Sequence, residues 1–162
     1  MKIIIVLSSI FFLAVSQVCA QSGHSRFALG INYIGGQVRY ELNSSWAGEL
    51  RYLTGSESAS TGDVTSQVFG LRGYRFFKEN PRRRFFLGAE AAMISSDQEN
   101  TSYEVSGPAV GAFGGLEYRI GENFSLGFDI GPYFFSLKEK KTDVSDTSLE
   151  FVANTFFTFY IF

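Results

Sequence analysis

Residues 37–52 read QVRYELNSSWAGELRY, and this stretch decides the fold. Two runs in which charged and apolar residues alternate flank the turn-forming sequence Asn43-Ser44-Ser45, so the stretch is predicted to be a β-hairpin. Successive side chains of a strand point to opposite faces. One face of this hairpin therefore carries Arg39, Glu41, Glu49 and Arg51, and the other carries Val38, Tyr40, Leu50 and Tyr52.

The same division of faces recurs along the chain. Five acids and four arginines lie inside otherwise apolar segments: Arg39, Glu41, Glu49, Arg51, Arg72, Glu90, Glu117, Arg119 and Asp129. A soluble sheet turns its charges toward water, whereas these strands have to turn their apolar faces outward. A closed barrel embedded in lipid satisfies this pattern. The nine residues are therefore predicted to form a structural ion-pair network inside the barrel.

The predicted fold class is all-β: an eight-stranded antiparallel transmembrane β-barrel with up-and-down connections. The predicted strands cover residues 26–34, 37–42, 46–54, 63–77, 83–94, 104–119, 124–137 and 148–162. Turns at 43–45, 78–82 and 121–123 are assigned to one rim, and connections at 35–36, 55–62, 95–102 and 138–147 to the other. Short turns at one rim and mostly longer loops at the other are typical of the bacterial outer membrane, with the short rim periplasmic.

The hairpin also predicts a register. With residues 42 and 46 opposite each other across the turn, Arg39 lies opposite Glu49, at a Cβ separation of about 4.5–5.5 Å. By similar counting Arg72 meets Glu90. An eight-stranded barrel is just wide enough to be filled by side chains, and the inward positions here are rich in glycine. We therefore expect a packed, ion-paired lumen.

The chain ends FFTFYIF over residues 156–162. With Tyr160 and Phe162 at this end, the chain resembles the eight-stranded outer-membrane barrels of the OmpA and OmpX type, whose last strand ends in an aromatic residue read by the barrel assembly machinery. The resemblance implies that Tyr160 and Phe162 are a C-terminal assembly signal and that this machinery is a partner. Segments 116–119 (LEYR) and 73–75 (GYR) also resemble the porin-like outer-membrane β-barrel domains common in Bacteroidota.

The last strand and two prolines raise finer expectations. Polar residues at 150, 154 and 158 share a parity with Phe162, so a β-bulge near residue 155 or 156 is expected to switch the faces. Pro108 and Pro132 cannot donate to a strand ladder, and both are expected near the outer rim. Interfacial aromatic girdles are predicted from Trp46, Tyr33, Tyr40, Tyr52, Tyr118 and Tyr160.

The first twenty residues have the features of a signal peptide. Lys2 precedes an apolar run from Ile3 to Val15, and Val18-Cys19-Ala20 offers a cleavage site. We therefore expect residues 1–20 to be cleaved and residues 21–162 to form one outer-membrane β-barrel domain. A lipoprotein signal at Cys19 is the weaker alternative, because Val18 stands where such signals prefer a small residue.

Nothing in the sequence favours an enzyme. The single histidine, His24, precedes the first predicted strand, so a Ser-His-acid arrangement has no support. No His or Cys cluster offers a metal site, and no cofactor is expected. The formal net charge of −2 at pH 7 gives no electrostatic case for nucleic acid.

Two classes of function fit the predicted barrel, and both place it in the bacterial outer membrane. The first is a structural or surface-interaction barrel with a plugged lumen, and the second is a narrow porin-like channel or carrier for small or hydrophobic molecules. A soluble lipocalin-like carrier would need the strand faces reversed. We expect a monomer in contact with outer-membrane lipid, including lipopolysaccharide. The basic clusters at 82–84 and at 138, 140 and 141 either solvate the rims and meet lipid phosphates or contact partners.

Overall fold

The computed structural model describes residues 26–59, 62–78, 80, 82–98 and 104–161. The predicted signal peptide, His24 and Phe162 lie outside these residues. Eight strands follow one another: β1 (Arg26–Asn32), β2 (Gly35–Glu41), β3 (Trp46–Ala59), β4 (Gly62–Lys78), β5 (Arg83–Gln98), β6 (Glu104–Arg119), β7 (Phe124–Glu139) and β8 (Ser145–Tyr160). Within the described part of the chain, no helix is long and apolar enough to cross a bilayer.

Each strand pairs antiparallel with the next, and β8 pairs with β1, so the sheet closes into a barrel. This confirms the predicted fold class. Alternation gives the barrel an apolar outside and a charged inside. Leu87 and Phe69, on the outer face, expose 58% and 57% of their surface, whereas Arg39 and Glu117 are fully buried on the inner face. Exposed apolar residues and buried charged residues are both expected when lipid surrounds the barrel in place of water.

Two turns at the end predicted to be periplasmic owe their geometry to asparagine. The Oδ1 of Asn43 accepts hydrogen bonds from the backbone N–H groups of Ser45 and Trp46, at 2.8 and 3.0 Å. Asn80 does the same for Arg82 and Arg83, at 2.9 and 2.8 Å. Such local acceptance is what makes asparagine a turn former.

The first turn was predicted at Gly35-Gly36, but it lies at Tyr33-Ile34, and both glycines belong to β2. The physical reason is a close approach of backbones. A Cβ on Gly35 would collide with the carbonyl oxygen of Tyr52 on β3. A glycine is favoured in turns, but it is also favoured where two backbones must approach closely. Gly35 fills this second role inside β2, so it does not mark the turn.

The connections at the other end were predicted too long. Strands β3, β5 and β8 take up residues 55–59, 95–98 and 145–147, which had been assigned to loops. β1 and β2 have only 7 residues each, and their pairing with the neighbouring strands stops at Leu53 on β3 and at Phe156 on β8. Among the described residues, no strand pairs with the free edge of β3 or β8 beyond these positions. The backbone N–H of Thr54 still donates to the carbonyl oxygen of Ile34 in the first turn, at 2.8 Å. The gap therefore lies between residues 55–59 and 145–155, and we call it the notch.

Pro132 departs from its predicted place near the outer rim: it lies in the middle of β7. Pro108 lies closer to the outer end of its strand, β6. The β6–β7 ladder keeps one register throughout, but it is interrupted at both prolines. Around Pro108, residues 107–108 and 136–137 are unpaired in this ladder, and around Pro132, residues 112–113 and 131–132 are. Both prolines are accommodated because the ladder skips the positions at which a donor would be missing.

The predicted bulge in the last strand does not occur. β7 and β8 pair in one unbroken register from Phe124 opposite Phe159 to Lys138 opposite Ser145. Phe156, Thr158 and Tyr160 consequently share the inner face with the polar positions before them. The strand needs no switch of faces because its inward aromatic residues fill the lumen instead of facing lipid.

Candidate functional site: the luminal ion-pair network

All nine charged residues predicted to face the lumen lie on the inner face of the barrel, eight of them buried and Arg119 partly exposed. The register places Arg39 opposite Glu49 and Arg72 opposite Glu90, which confirms the two predicted pairs. A lone charge in low dielectric costs several kcal/mol, so each of these buried charges needs a partner.

Arg39 bridges opposite walls of the barrel. Its Nε lies 2.9 Å from Glu49 Oε2 on the adjacent strand β3. Its Nη1 lies 2.8 Å from Glu117 Oε2 on β6, which stands opposite β2 in the ring. The guanidinium also packs against the rings of Tyr74 and Phe156, with its Cζ 4.7 and 5.1 Å from their centroids. The ion pair between Arg39 and Glu117 spans the lumen. The register of a single hairpin could not predict it, because the two residues lie on opposite strands of the ring.

Arg72 links the next part of the network. It lies 3.6 Å from Glu49, 3.3 Å from Glu90 and 3.0 Å from Asp129 on β7. Glu90 is shared with Arg51, whose Nε is 2.6 Å from Oε1. Glu49 and Glu90 therefore each lie beside two arginines, and Asp129 also accepts a hydrogen bond from the side-chain amide of Asn154 at 2.9 Å. These contacts offset the desolvation of the charges.

Arg84 completes the network, and the sequence reading missed it. It was grouped with Arg82 and Arg83 as a basic cluster at the rim, yet it is buried, whereas Arg82 and Arg83 are exposed. Its Nη2 lies 2.7 Å from Glu41 and 3.0 Å from Glu117. A signal was available, since residue 84 shares its parity with Glu90 on β5.

With Arg84 the luminal network holds equal numbers of opposite charges. Its ten members are Arg39, Arg51, Arg72, Arg84 and Arg119 with Glu41, Glu49, Glu90, Glu117 and Asp129. Arg119 marks the inner end of the network, because 22% of its side chain is exposed and it lies 3.9 Å from Glu41. The interior is therefore formally neutral.

Three tyrosines extend the network with hydroxyl donors. Tyr74, Tyr133 and Tyr160 donate to Glu49, Glu90 and Glu117, at 2.7, 2.6 and 2.6 Å. Tyr160 was predicted to join an interfacial girdle, but its ring points into the barrel and is buried. Its proposed part in a C-terminal assembly signal stays a prediction. Trp46, Tyr52 and Tyr118 do face outward, and Tyr33 lies at the tip of the first turn.

Aromatic rings fill the space between the charges. Tyr74, Phe76, Phe86, Phe113 and Phe156 form one buried cluster with Ala47 and Tyr133. The guanidinium of Arg72 lies 3.7 Å from the ring centroid of Phe113, and that of Arg84 lies 4.0 Å from Phe76. Such cation–π contacts add to the stabilisation when the cation is desolvated.

Glycines make room for these rings. A Cβ on Gly127 would collide with the ring of Phe156, and one on Gly88 would collide with that of Phe113. The same holds for Gly111 beneath Tyr133. The inward glycines are therefore the counterpart of the inward aromatic residues, as a narrow barrel filled by side chains requires.

The chemistry available in this lumen is that of a filled interior. Within the described ranges, no group of three or more His, Cys, Asp or Glu residues is arranged to hold a metal ion. The carboxylates accept from arginines and tyrosines. The arrangement can hold opposite walls of the barrel together.

An apolar outer face, a closed ring of eight strands and a buried charged interior define a transmembrane β-barrel of the bacterial outer membrane. The chain belongs to the family described as the outer membrane protein beta-barrel domain, whose family model matches residues 11–157.

The fold is similar to that of Neisserial surface protein A (NspA), with a TM-score of 0.60 and 13% identity over 83% of this chain and 92% of that chain. Acinetobacter baumannii CarO matches with a TM-score of 0.39 and 12% identity, over 85% of this chain and 96% of that one. No curated protein sequence matches the chain.

Proposed function

We propose that this protein is a closed, non-conducting outer-membrane barrel with a structural or surface-interaction role. The observation that carries the proposal is the set of ion pairs that join strands across the lumen. Arg39 connects β2 with β6, Arg72 connects β4 with β7, and Arg84 connects β5 with β2. These contacts are 2.7–3.0 Å long and their side chains are almost fully buried, which supports a blocked lumen.

The partners in this proposal follow from the surface. The apolar band contacts outer-membrane lipid, including lipopolysaccharide, and the barrel assembly machinery inserts the chain by its last strand. The strands that continue beyond the β1–β2 hairpin carry polar residues on their outer faces, such as Thr54, Ser56 and Thr65. These strand ends offer a polar surface for interactions outside the cell. In this proposal the protein is a monomer without enzymatic activity, which uses no cofactor and binds no nucleic acid.

Conductance in planar lipid bilayers tests the proposal. Refolded wild-type protein is expected to give no steady single-channel steps, because the ion pairs cross the lumen. The double variant Arg39→Ala/Glu117→Ala removes one crossing contact and is expected to raise the leak current. Replacing outward-facing Tyr52 by Phe is the matched control, and it should leave the bilayer as tight as wild type does.

A narrow porin-like channel is the alternative function, and the same recordings distinguish it. Steady conductance from the wild type would refute the closed barrel and favour the channel. A carrier for hydrophobic molecules needs a binding site in place of an open path, so it would leave the bilayer tight as well.

A further inference from the structure

Two neighbouring arginines at the end predicted to be periplasmic are left out of the luminal network. Arg82 and Arg83 lie where the β4–β5 turn enters β5, and both side chains are exposed. Arg84, the next residue, is buried and paired with two luminal acids. Within the described part of the chain, neither Arg82 nor Arg83 forms an ion pair. Their two guanidinium groups are therefore available to a ligand.

The backbone that carries these arginines is held in place. Besides the two hydrogen bonds accepted by the side chain of Asn80, the backbone N–H of Asn80 donates to the carbonyl oxygen of Arg83, at 3.3 Å. The carbonyl oxygen of Arg82 accepts from the backbone N–H of Arg119 on β6, at 2.8 Å. The turn is thus fastened to the neighbouring strand, so both side chains start from fixed backbone positions.

Both arginines line the same hollow. Asn80, Arg82, Arg83 and Tyr118 border an open hollow of about 370 Å³, which we call the rim hollow. Tyr118 lies opposite Arg83 in the β5–β6 ladder and is 38% exposed. Among these four described lining residues none is acidic, and guanidinium, amide and phenol groups all donate hydrogen bonds. The rim hollow therefore suits an anion.

The rim hollow borders the lipid-facing surface. The next outward pair of the β5–β6 ladder is Phe85 opposite Leu116, and these side chains expose 47% and 36% of their surface. Leu87 follows on β5 and is exposed as well. The rim hollow thus lies where the apolar band ends, which is the level of the lipid headgroups and of the interfacial aromatic residues. An established interface, the one with lipid, is continuous with it.

Phosphate is the anion that this position and these donors favour. The planar guanidinium group matches a phosphate through parallel N–H···O bonds. A phosphate in this hollow can be free or can belong to a lipid, but only a lipid also uses the apolar surface of Phe85 and Leu116. Two arginine charges favour a headgroup that keeps a net negative charge over one that also carries an ammonium group.

We propose that the rim hollow binds the phosphate of an anionic phospholipid of the periplasmic leaflet. The phosphate accepts hydrogen bonds from Arg82, Arg83 and the Tyr118 hydroxyl, and the acyl chains lie along Phe85 and Leu116. The inference goes beyond the closed-barrel function and does not depend on it. A conducting wild type would refute the closed barrel and leave this site intact.

Native mass spectrometry of the refolded mature chain, titrated in a neutral detergent, tests the site. The probes are phosphatidylglycerol, phosphatidylcholine and inorganic phosphate. We expect one phosphatidylglycerol adduct that saturates before any further adduct forms, with phosphatidylcholine retained more weakly. Equal retention of the two lipids would overturn the proposal. Displacement of phosphatidylglycerol by an equal concentration of inorganic phosphate would assign the hollow to a free anion and would overturn it as well.

A matched pair of arginine substitutions separates a site from general charge attraction. Arg83→Gln should weaken phosphatidylglycerol binding roughly tenfold, as expected for loss of a hydrogen bond to a charged group. Arg75→Gln is the control, because Arg75 is an exposed arginine of β4 that packs against the rings of Trp46 and Phe77 and does not line the hollow. It should leave the binding unchanged. Equal losses in both variants would contradict a defined site.

A third variant tests recognition by the guanidinium group itself. Arg83→Lys keeps the charge but loses the planar fork, so it should bind phosphatidylglycerol more weakly than wild type does. All three variants change exposed side chains and should unfold in phosphatidylcholine vesicles at the same urea concentration as wild type. A loss of lipid binding then cannot come from unfolding. An Arg83→Lys variant that binds as tightly as wild type would contradict recognition by the guanidinium fork.

Discussion

Arg84 shows how one residue can change the net charge assigned to a protein interior. Without it the predicted luminal network has an excess acid, and with it the charges balance. Its neighbour Arg83 comes from the same basic run but is exposed. The two arginines differ only in which side of β5 they occupy, so they form a natural pair for comparison.

Replacing Arg84 by Ala is expected to lower the free energy of unfolding by about 3–5 kcal/mol, since it leaves Glu41 and Glu117 short of a buried partner. Replacing Arg83 by Ala should change it by no more than about 0.5 kcal/mol, as for exposed positions. Urea titration of the protein refolded into lipid vesicles measures both. Equal effects of the two substitutions would show that the burial of Arg84 has no energetic consequence.

Gly127 and Phe156 provide a test of packing. Gly127→Ala places a methyl group where the ring of Phe156 lies, and overpacking of this kind costs about 1–3 kcal/mol. Adding Phe156→Leu should recover part of that loss, because the smaller side chain vacates the space. Gly73→Ala is the control, since a Cβ there meets nothing within 4 Å. The same urea titration applies, and a neutral Gly127→Ala would contradict the packing described.

At the scale of elements, alternation and turn chemistry predict most of the architecture. The Asn43 turn fixes the register that pairs Arg39 with Glu49, because a two-residue periodicity leaves no freedom once the turn is set. Alternation also places the nine predicted charges inside. Both signals are local, and local signals can be read from one sequence.

What could not be predicted depends on contacts between distant strands. The glycine at 35 serves a close approach to β3, which no local pattern reveals. The inward facing of Phe156 and Tyr160 depends on glycines of β7 and on acids of β2 and β6. Strands β3, β5 and β8 extend further toward the outer end than predicted, because polar residues there look like loop residues although they continue the ladder.

The orientation of the elements in the membrane can be tested on intact cells. The turn at residues 140–142 joins β7 to β8 at the predicted outer end and exposes Lys141. We expect trypsin to cut here first, while the basic run at 82–84 at the other end stays protected by the membrane. Mass spectrometry of the fragments identifies the site. Preferential cleavage at residues 82–84 would mean that the topology is inverted.

At the scale of the whole molecule, the predicted processing defines the mature chain. Residues 1–20 are expected to be removed after Ala20, because the apolar run is followed by a small-residue cleavage site. The intact mass of the membrane-extracted protein measures this. A mass that includes residues 1–20 would refute the cleavage, and a lipid adduct at Cys19 would favour the lipoprotein alternative.

The central claim is that the interior charges of the barrel compensate one another, and a double-mutant cycle on Arg39 and Glu49 tests it most directly. Glu49→Ala should be destabilising by about 3 kcal/mol, with Glu117 still paired to Arg39. Combining it with Arg39→Ala should recover part of the loss, with a coupling energy of about 1–3 kcal/mol.

The exposed pair Lys138–Asp143 is the control for this cycle, and its coupling should stay below about 1 kcal/mol. Urea titration in lipid vesicles gives all the free energies of unfolding. The account predicts strong coupling inside the barrel and weak coupling outside it. An inert Glu49→Ala substitution, or additive effects at Arg39 and Glu49, would contradict it.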